Sequence, residues 1–299
     1  MLRSLLLLTR LFLITPFALS AQTATLTGVV DIHAHSDPDS VPRSIDGLTI
    51  TRLMALKGFR GVVLKNHYES TAGLAWLASQ QAPGLTIFGG IALNRTVGGV
   101  NPAAVERMTM VKGGHGKLVW MPTFDAENQV AYSKESRPFV SISKAGKLLP
   151  EVLEVLDLIA RHDMVLATGH SSAAETRLLL TAAVQRGVKR MVVTHPVIAP
   201  VLMSVDDMKW CAGQGAFLEF VSNAIIGTQT IMTPKQFVQA IRSVGTNRAI
   251  LSSDLGQASN PIHTEGWLQF FSELEKAGLN STEIDIMAKK NPASLLGIK

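Results

Sequence analysis

Short apolar runs rich in valine, isoleucine and leucine recur along the chain and alternate with segments of helical periodicity. Each run is apolar at nearly every position, which is typical of a strand buried on both faces of a parallel sheet. Eight such strands are predicted, over residues 28–32, 61–64, 86–93, 117–121, 164–167, 190–194, 216–220 and 249–252.

Helix signals lie between the predicted strands. Asn101-Pro102 and Thr233-Pro234 each place a capping side chain before a proline at the first helical position. Eight strand–helix units of about 35 residues each predict a (β/α)8 TIM barrel that forms a single domain. An open doubly wound sheet is the alternative, but the chain lacks the G-x-G-x-x-G turn typical of that fold. The longest irregular stretch, residues 122–146, is long enough for a lid or a substrate loop.

The first 21 residues have the layout of a secretory signal peptide. Arg3 gives a positive start, an apolar stretch follows, and residues 18–21 offer small side chains for cleavage. An uncleaved membrane anchor is the alternative, but the apolar stretch is short for a span and contains Arg10. We therefore expect residues 1–21 to be removed. Residues 22–299 would then form an exported, periplasmic or secreted domain with no membrane contact after cleavage.

Composition and charge narrow the classes of function. Apolar residues make up 46% of the chain and charged residues 17%, which excludes a disordered protein. The single cysteine, Cys211, excludes an intramolecular disulfide and a zinc site built from several thiolates. The net charge of +5 is not concentrated in a run that would follow a phosphate backbone, so we expect no nucleic-acid partner. The expected partner is a small-molecule substrate. The sequence makes no prediction of oligomeric state.

Four histidines and one aspartate fall at the ends of predicted strands. His33 and His35 follow the first strand, and their spacing of two places both side chains on one face. His170, His195 and Asp254 end the fifth, sixth and eighth strands. The carboxyl ends of the strands form the active-site edge of a barrel, and imidazole nitrogens and carboxylates are ligands of divalent metals. The sequence therefore predicts a metal centre at this edge.

The strand-end motifs resemble those of the amidohydrolase superfamily of metal-dependent barrel hydrolases, here in an exported branch. The resemblance runs from Asp31 to the closing segment 291–297, which is similar to the last helix of that superfamily. It implies that His33, His35, His170 and Asp254 are metal ligands or lie beside them. It also implies that His195 binds a second metal or polarises the substrate, and that Asp254 transfers a proton.

Lys65 marks a departure from this superfamily. Two-metal members usually bridge the ions with a carboxylated lysine or a glutamate from the fourth strand, and residues 118–123 contain neither. The second strand instead leads to Lys65 and His67, which share one face. Lys65 holds an acidic substrate group, or is carboxylated and bridges two ions, or is an ammonium paired with Glu69 or Glu219. The sequence favours one ion over two.

Three further side chains are candidates for binding the substrate. Arg43 lies in the proline-stiffened loop that follows the first strand, where a guanidinium can clamp a carboxylate or phosphate. His67 follows the second strand and Asn94 ends the third, so both are expected to line the pocket.

These residues predict metal-assisted hydrolysis of an amide, a lactone or other ester, or a phosphoester. Zinc is the expected ion for a histidine-rich site, with manganese or nickel as alternatives, and it would activate water for attack. Asp254 accepts the proton of the water, Asp254 or His195 returns a proton to the leaving group, and His195 or Lys65 stabilises the oxyanion. A metal-dependent decarboxylase of the same superfamily and a non-catalytic exported binding protein are the alternatives.

Overall fold

Eight parallel strands pair in sequence order and form a barrel. In the computed structural model, which describes residues 24–228 and 230–299, the last strand meets the first through two bonds. The Asp254 amide donates to the carbonyl of His33, and the His35 amide donates to the carbonyl of Leu255, both at 2.8 Å. The predicted α/β barrel is confirmed. Its strands are β1 (Val30–His35), β2 (Gly61–Lys65), β3 (Thr86–Ala92), β4 (Gly116–Trp120), β5 (Val165–Ala167), β6 (Arg190–Val193), β7 (Phe217–Val221) and β8 (Ala249–Ser252).

Helices follow the strands and cover the outside of the barrel. The expected N-caps are present: Asn101 and Thr233 each accept a backbone N–H and precede a proline, and Ser172 forms a capping box with Glu175. The helices are α1 (Gly47–Leu56), α2 (Ala72–Ser79), α3 (Pro102–Thr109), α4 (Glu127–Ser133), α5 (Pro150–Arg161), α6 (Ala173–Gln185), α7 (Val205–Gly213), α8 (Pro234–Val244), α9 (His263–Lys276), α10 (Ser281–Asp285) and α11 (Asn291–Leu296), with a π-helical turn at Ile286–Lys290.

The core has two separate parts. The larger part lies between the strands and the surrounding helices. The smaller fills the barrel with inward residues such as Val63, Leu118 and Val165, together with Leu295 and Leu296 from α11. Because apolar side chains fill much of the barrel interior, the polar groups of the candidate site gather toward the carboxyl ends of the strands.

A bulge in β1 aims its histidines into the barrel. Val30 and Ile32 belong to the interior cluster, whereas Ala34 belongs to the outer one. Strict alternation from Ile32 would turn His33 outward, but the pairing of β1 with β2 shifts register between Asp31 and Ala34. Bulges commonly redirect side chains beside functional sites. The strand continues to His35, beyond the end expected at residue 32.

The long segment after β4 is more ordered than its irregular sequence pattern indicated. It contains α4 and a two-stranded hairpin, Ser143–Lys144 with Lys147–Leu148. Arg137 ties the segment together, since its guanidinium pairs with Asp125 and Glu135 and donates to the carbonyl of Phe124. The segment is thus a folded wall over one side of the barrel.

The expected signal peptide, residues 1–21, lies outside the described residues. Among the helices in the described ranges, none combines the length and hydropathy that a membrane crossing requires.

The seam between β1 and β8 is held by the buried carboxylate of Asp31. This carboxylate accepts the backbone N–H groups of His33 (3.1 Å) and Ser253 (3.0 Å) and the indole N–H of Trp267 on α9 (2.9 Å). Asp31 and Trp267 are fully buried. One carboxylate therefore joins β1, β8 and the helix that follows β8.

Replacing Asp31 with alanine leaves these three buried donors without their acceptor. We expect Asp31→Ala to lower the free energy of unfolding by about 3 kcal/mol or more, as measured by urea denaturation. Asp46→Ala is the matched control, because Asp46 accepts two backbone N–H groups at the exposed start of α1 and should cost only about 1 kcal/mol. Equal losses in the two variants would contradict a special role for the seam.

Candidate metal centre

His33, His35 and Asp254 meet where β1 and β8 end. The Nε2 atoms of the two histidines are 3.3 Å apart, and Asp254 Oδ1 lies 3.0 Å from that of His33 and 3.3 Å from that of His35. Among the described residues, only this group brings three possible metal ligands within 4.8 Å of one another. Both histidines are buried, and the Asp254 side chain keeps 13% exposure.

Two of the site residues have left-handed backbone conformations. Asp254 has a backbone φ of +50° and His195 one of +26°, values that residues other than glycine rarely adopt. The seam hydrogen bond from the Asp254 amide to His33 stabilises the first of these. Strain of this kind is concentrated at functional sites, where the surrounding structure maintains it.

Glu219 on β7 supports both sides of the site. Its Oε1 accepts the Nδ1–H of His33 at 3.1 Å and the hydroxyl of Ser252 at 2.8 Å. Its Oε2 accepts the backbone N–H of His195 at 3.3 Å. Because Nδ1 of His33 carries the proton shared with Glu219, Nε2 is the atom left to bind a metal. A carboxylate that orients a ligand histidine is a common feature of metal sites.

Lys65 is buried at the end of β2, inside the barrel. Its Nζ lies 2.9 Å from Nε2 of His33 and 5.3 Å from the centre of the Trp120 ring. Burial lowers the pKa of Lys65 to about 8, although the Asp254 and Glu219 carboxylates oppose that shift. Of the two carboxylates expected to pair with Lys65, those of Glu69 and Glu219, Glu219 lies near it.

The charges at the centre are strongly coupled. Burial lowers the pKa of His33, but Asp254 and Glu219 outweigh burial and raise it to about 9. Burial raises the pKa of Asp254, yet the neighbouring His33 and His35 hold it well below its usual range. The two carboxylates are therefore ionised and stabilise positive charge at the ligand atoms, as a cation site requires.

His170 and His195 lie beside this cluster but outside the group of three. Their ring centres are 5.0 Å apart, and the His195 ring stacks on His33 with centres 6.2 Å apart. Nδ1 of His170 donates to Oε1 of Gln129 on α4 at 2.8 Å, which leaves Nε2 free to bind. Burial lowers the pKa of His195 to about 4 and that of His170 well below its usual range, so both rings are neutral.

His67 lines the cavity, and the buried Asn94 is hydrogen-bonded to His67. Nδ1 of His67 is 2.8 Å from the hydroxyl of Thr123, which also accepts the Asn94 amide at 2.7 Å. Asn94 further donates to the carbonyl of His67, and its oxygen accepts the backbone N–H groups of Thr123 and Asp125. Asn94 is fully buried and supports His67, and its expected contact with a substrate stays a prediction.

Arg43 lines the cavity mouth, but its guanidinium already has a carboxylate partner. Nε of Arg43 donates to Oδ2 of Asp39 at 2.7 Å, and Nη2 pairs with the same oxygen. The Arg43 side chain keeps 5% exposure and that of Asp39 none. The expected clamp on a substrate carboxylate or phosphate would have to compete with this internal ion pair.

A cavity of about 820 Å³ opens above the cluster. His35, Lys65, His170, His195 and Asp254 form part of its floor. Its walls include residues that the sequence did not single out: Phe124, Gln129 and Arg137 from the segment after β4, and Asn223 and Gln257 from the loops after β7 and β8. The only sequence signal for the first three was the length of their segment.

The model of DUF6282, a family of unknown function, matches residues 28–219. The chain belongs to this family. Among curated proteins, none is significantly similar to the sequence.

Solved structures of amidohydrolases have a similar fold. An amidohydrolase from Pseudomonas aeruginosa is 11% identical, with a TM-score of 0.60 over 90% of this chain and 97% of its own. A dihydroorotase is 14% identical, with a TM-score of 0.59 over 91% and 70%. An amidohydrolase from Burkholderia multivorans, solved with bound zinc, is 11% identical, with a TM-score of 0.59 over 91% and 99%. This chain therefore shares the barrel fold of these structures, which is the fold that the sequence resemblance implied.

Replacing Glu219 with glutamine tests its role in orienting His33. The amide keeps the size of the side chain but loses the charge, and it cannot accept all three of the present donors. We expect Glu219→Gln to weaken zinc binding by about 10- to 100-fold, measured by competition with a fluorescent chelator. Glu154→Gln, an exposed position on α5, should leave the affinity unchanged. Equal zinc affinity in both variants, with the fold intact by circular dichroism, would contradict the role of Glu219.

Proposed function

We propose that this protein is a hydrolase that depends on a divalent metal, with zinc as the ion that best suits its ligands. The observation that carries the proposal is the group formed by His33, His35 and Asp254 at the carboxyl edge of the barrel. Two imidazole nitrogens and one carboxylate oxygen are a frequent protein ligand set for catalytic zinc. The zinc bound to the Burkholderia multivorans amidohydrolase supports the same choice of metal. His170 and His195 are the next nearest candidate ligands, and we propose one ion.

The residues around the group have different roles in the proposed hydrolysis. A divalent metal there would polarise the scissile group and lower the pKa of water. Asp254 is ionised and its side chain faces the cavity, so it accepts the proton of the attacking water. Once protonated, Asp254 can return that proton to the leaving group. Neutral His195 is a poor proton donor, so we propose Asp254 as the group that protonates the leaving group.

Lys65 would provide positive charge beside the group, since its Nζ lies 2.9 Å from Nε2 of His33. We propose that it acts as an ammonium that stabilises negative charge developing on the substrate oxygen. Its proximity to Asp254 and Glu219 supports this role, because both carboxylates favour the charged form. Carboxylated Lys65 would instead add a negative charge next to these carboxylates.

Hydrolysis fits the cavity better than decarboxylation does. A decarboxylase holds the carboxylate of its substrate, and Arg43 was the cation expected for that purpose. In the structure Arg43 is paired with the buried Asp39. The decarboxylase hypothesis thus loses the cation on which it relied, whereas hydrolysis of an ester, lactone, amide or phosphoester does not require Arg43.

The proposal is tested by removing and restoring the metal. Protein treated with a chelator should lose activity across a panel of esters, lactones, amides and phosphoesters, and one equivalent of zinc should restore it. The control variant His115→Ala should lose and regain activity as the unaltered protein does. His115 lies at the amino end of β4, where it bonds to the carbonyl of Ile87. Stoichiometric zinc binding without turnover of any substrate class would favour a non-catalytic binding protein.

Asp254→Asn separates proton transfer from metal binding. The amide keeps one oxygen at the ligand position but is not a base. We expect kcat to fall by about 10²- to 10⁴-fold while most of the zinc and the melting temperature are retained. Asp157→Asn, an exposed carboxylate on α5, should change neither. Unchanged kcat with full zinc occupancy in Asp254→Asn would remove Asp254 from the mechanism.

A further inference from the structure

A second chamber of about 350 Å³ adjoins the cavity above the metal ligands. The two spaces share Ile198, Ala199, Asn223 and Gln257 in their walls, so the chamber continues the cavity toward the loops after β7 and β8. Gln257 connects it to the centre directly, because its amide donates to the carbonyl of Asp254 at 2.8 Å. A substrate bound at the centre could therefore extend into this chamber.

The walls of the chamber are neutral. Polar groups come from amides and hydroxyls, and among the described residues that line it none is charged. The remaining lining side chains are aliphatic, such as Ile198 and Ile231. This composition differs from the main cavity, whose walls also carry lysine, arginine, aspartate and glutamate.

A hydrogen-bond network fixes the amides of the chamber. The Asn260 amide donates to Oδ1 of Asn223 at 3.0 Å and to Oε1 of Gln257 at 2.9 Å. Oδ1 of Asn260 accepts the backbone N–H of Thr228 at 3.1 Å. The Asn223 amide N–H groups have no acceptor among the described residues. The hydroxyls of Thr228 and Ser259 lie 3.3 Å apart and form a hydrogen bond. The chamber thus presents an amide donor and two hydroxyls, each able to donate and accept.

Charged groups near the chamber have internal partners. At the cavity mouth, Arg43 pairs with Asp39, and Arg137 pairs with Asp125 and Glu135. A charged ligand group would enter a neutral chamber without a counterion, which is costly. A hydroxyl group can bond to the amide donor and the hydroxyls together, at no cost in charge.

We propose that this chamber is a subsite for an uncharged, hydroxyl-bearing part of the substrate, such as a sugar or another polyol. The inference rests on the proposed function, since the hydrolysed bond would lie over His33, His35 and Asp254 while the hydroxylated part occupies the chamber. Asn223 is the specificity-determining residue, because it borders both spaces and its amide donor has no acceptor in residues 24–228 and 230–299.

Binding of small probes tests the subsite without requiring turnover. Saturation-transfer NMR on the zinc-loaded full chain would compare methyl glucoside, a neutral polyol, with cyclohexylmethanol, an apolar alcohol of similar ring size. We expect transfer to methyl glucoside to exceed that to cyclohexylmethanol, and Asn223→Leu to weaken glucoside binding by about tenfold. Asn247→Leu, the same change at an exposed position before β8, should bind as the unaltered protein does.

Two results would overturn the subsite. One is the absence of transfer to methyl glucoside, or transfer no greater than to cyclohexylmethanol. The other is equal glucoside affinity in the Asn223→Leu and unaltered proteins. If Asn223→Leu does not fold, Ser259→Ala gives the same test, since loss of one hydroxyl should weaken glucoside binding. Failure of the hydrolase proposal would appear separately, as glucoside binding that depends on Asn223 in a protein that hydrolyses nothing.

Discussion

Closure of the barrel between β8 and β1 is the constraint on which the candidate metal centre depends. His33 and His35 lie on one side of this seam and Asp254 on the other, so their ligand atoms converge only when the strands pair. Asp31 stabilises the pairing from behind by accepting N–H groups from both strands and from Trp267. The bulge in β1 lies at the same place and turns His33 inward. Fold stability and the geometry of the centre thus rest on the same few hydrogen bonds.

Charge balance is the second organising feature of the site. Two buried carboxylates, Asp254 and Glu219, face several imidazoles and one lysine in a space that excludes most water. The imidazoles of His35, His67, His170 and His195 are held neutral by burial. His33 alone is stabilised as a cation, because both carboxylates contact it. A divalent metal at Nε2 would replace the second ring proton of His33 and be stabilised by the same two carboxylates.

Much of this arrangement was readable from the sequence, because it follows from the order of strands. Apolar runs located the eight strands to within a few residues, and the rule that barrel sites form at the carboxyl edge placed the histidines and Asp254 together. The bulge was not predictable, because it depends on pairing with β2 and closure against β8. The role of Glu219 was equally hidden: the sequence offered it as a partner of Lys65, but not as the acceptor of three donors at β1, β6 and β8.

Contacts between loops were the hardest to predict. The sequence identified Arg43 and Asn94 as polar residues near strand ends, but not the hydrogen bonds that join them to Asp39 and Thr123. The walls formed by Phe124, Asn223 and Gln257 come from three loops distant in the chain. Side chains of this kind carry no periodic signal, so only the assembled barrel shows which chemistry surrounds the centre.

A crystal structure of the zinc-loaded protein with anomalous difference maps at the zinc edge tests the central claim most directly. The account predicts one zinc ion, bound by Nε2 of His33, Nε2 of His35 and the carboxylate of Asp254, with Glu219 still bonded to Nδ1 of His33. Zinc bound elsewhere in the molecule, with no anomalous peak at these three residues, would contradict it.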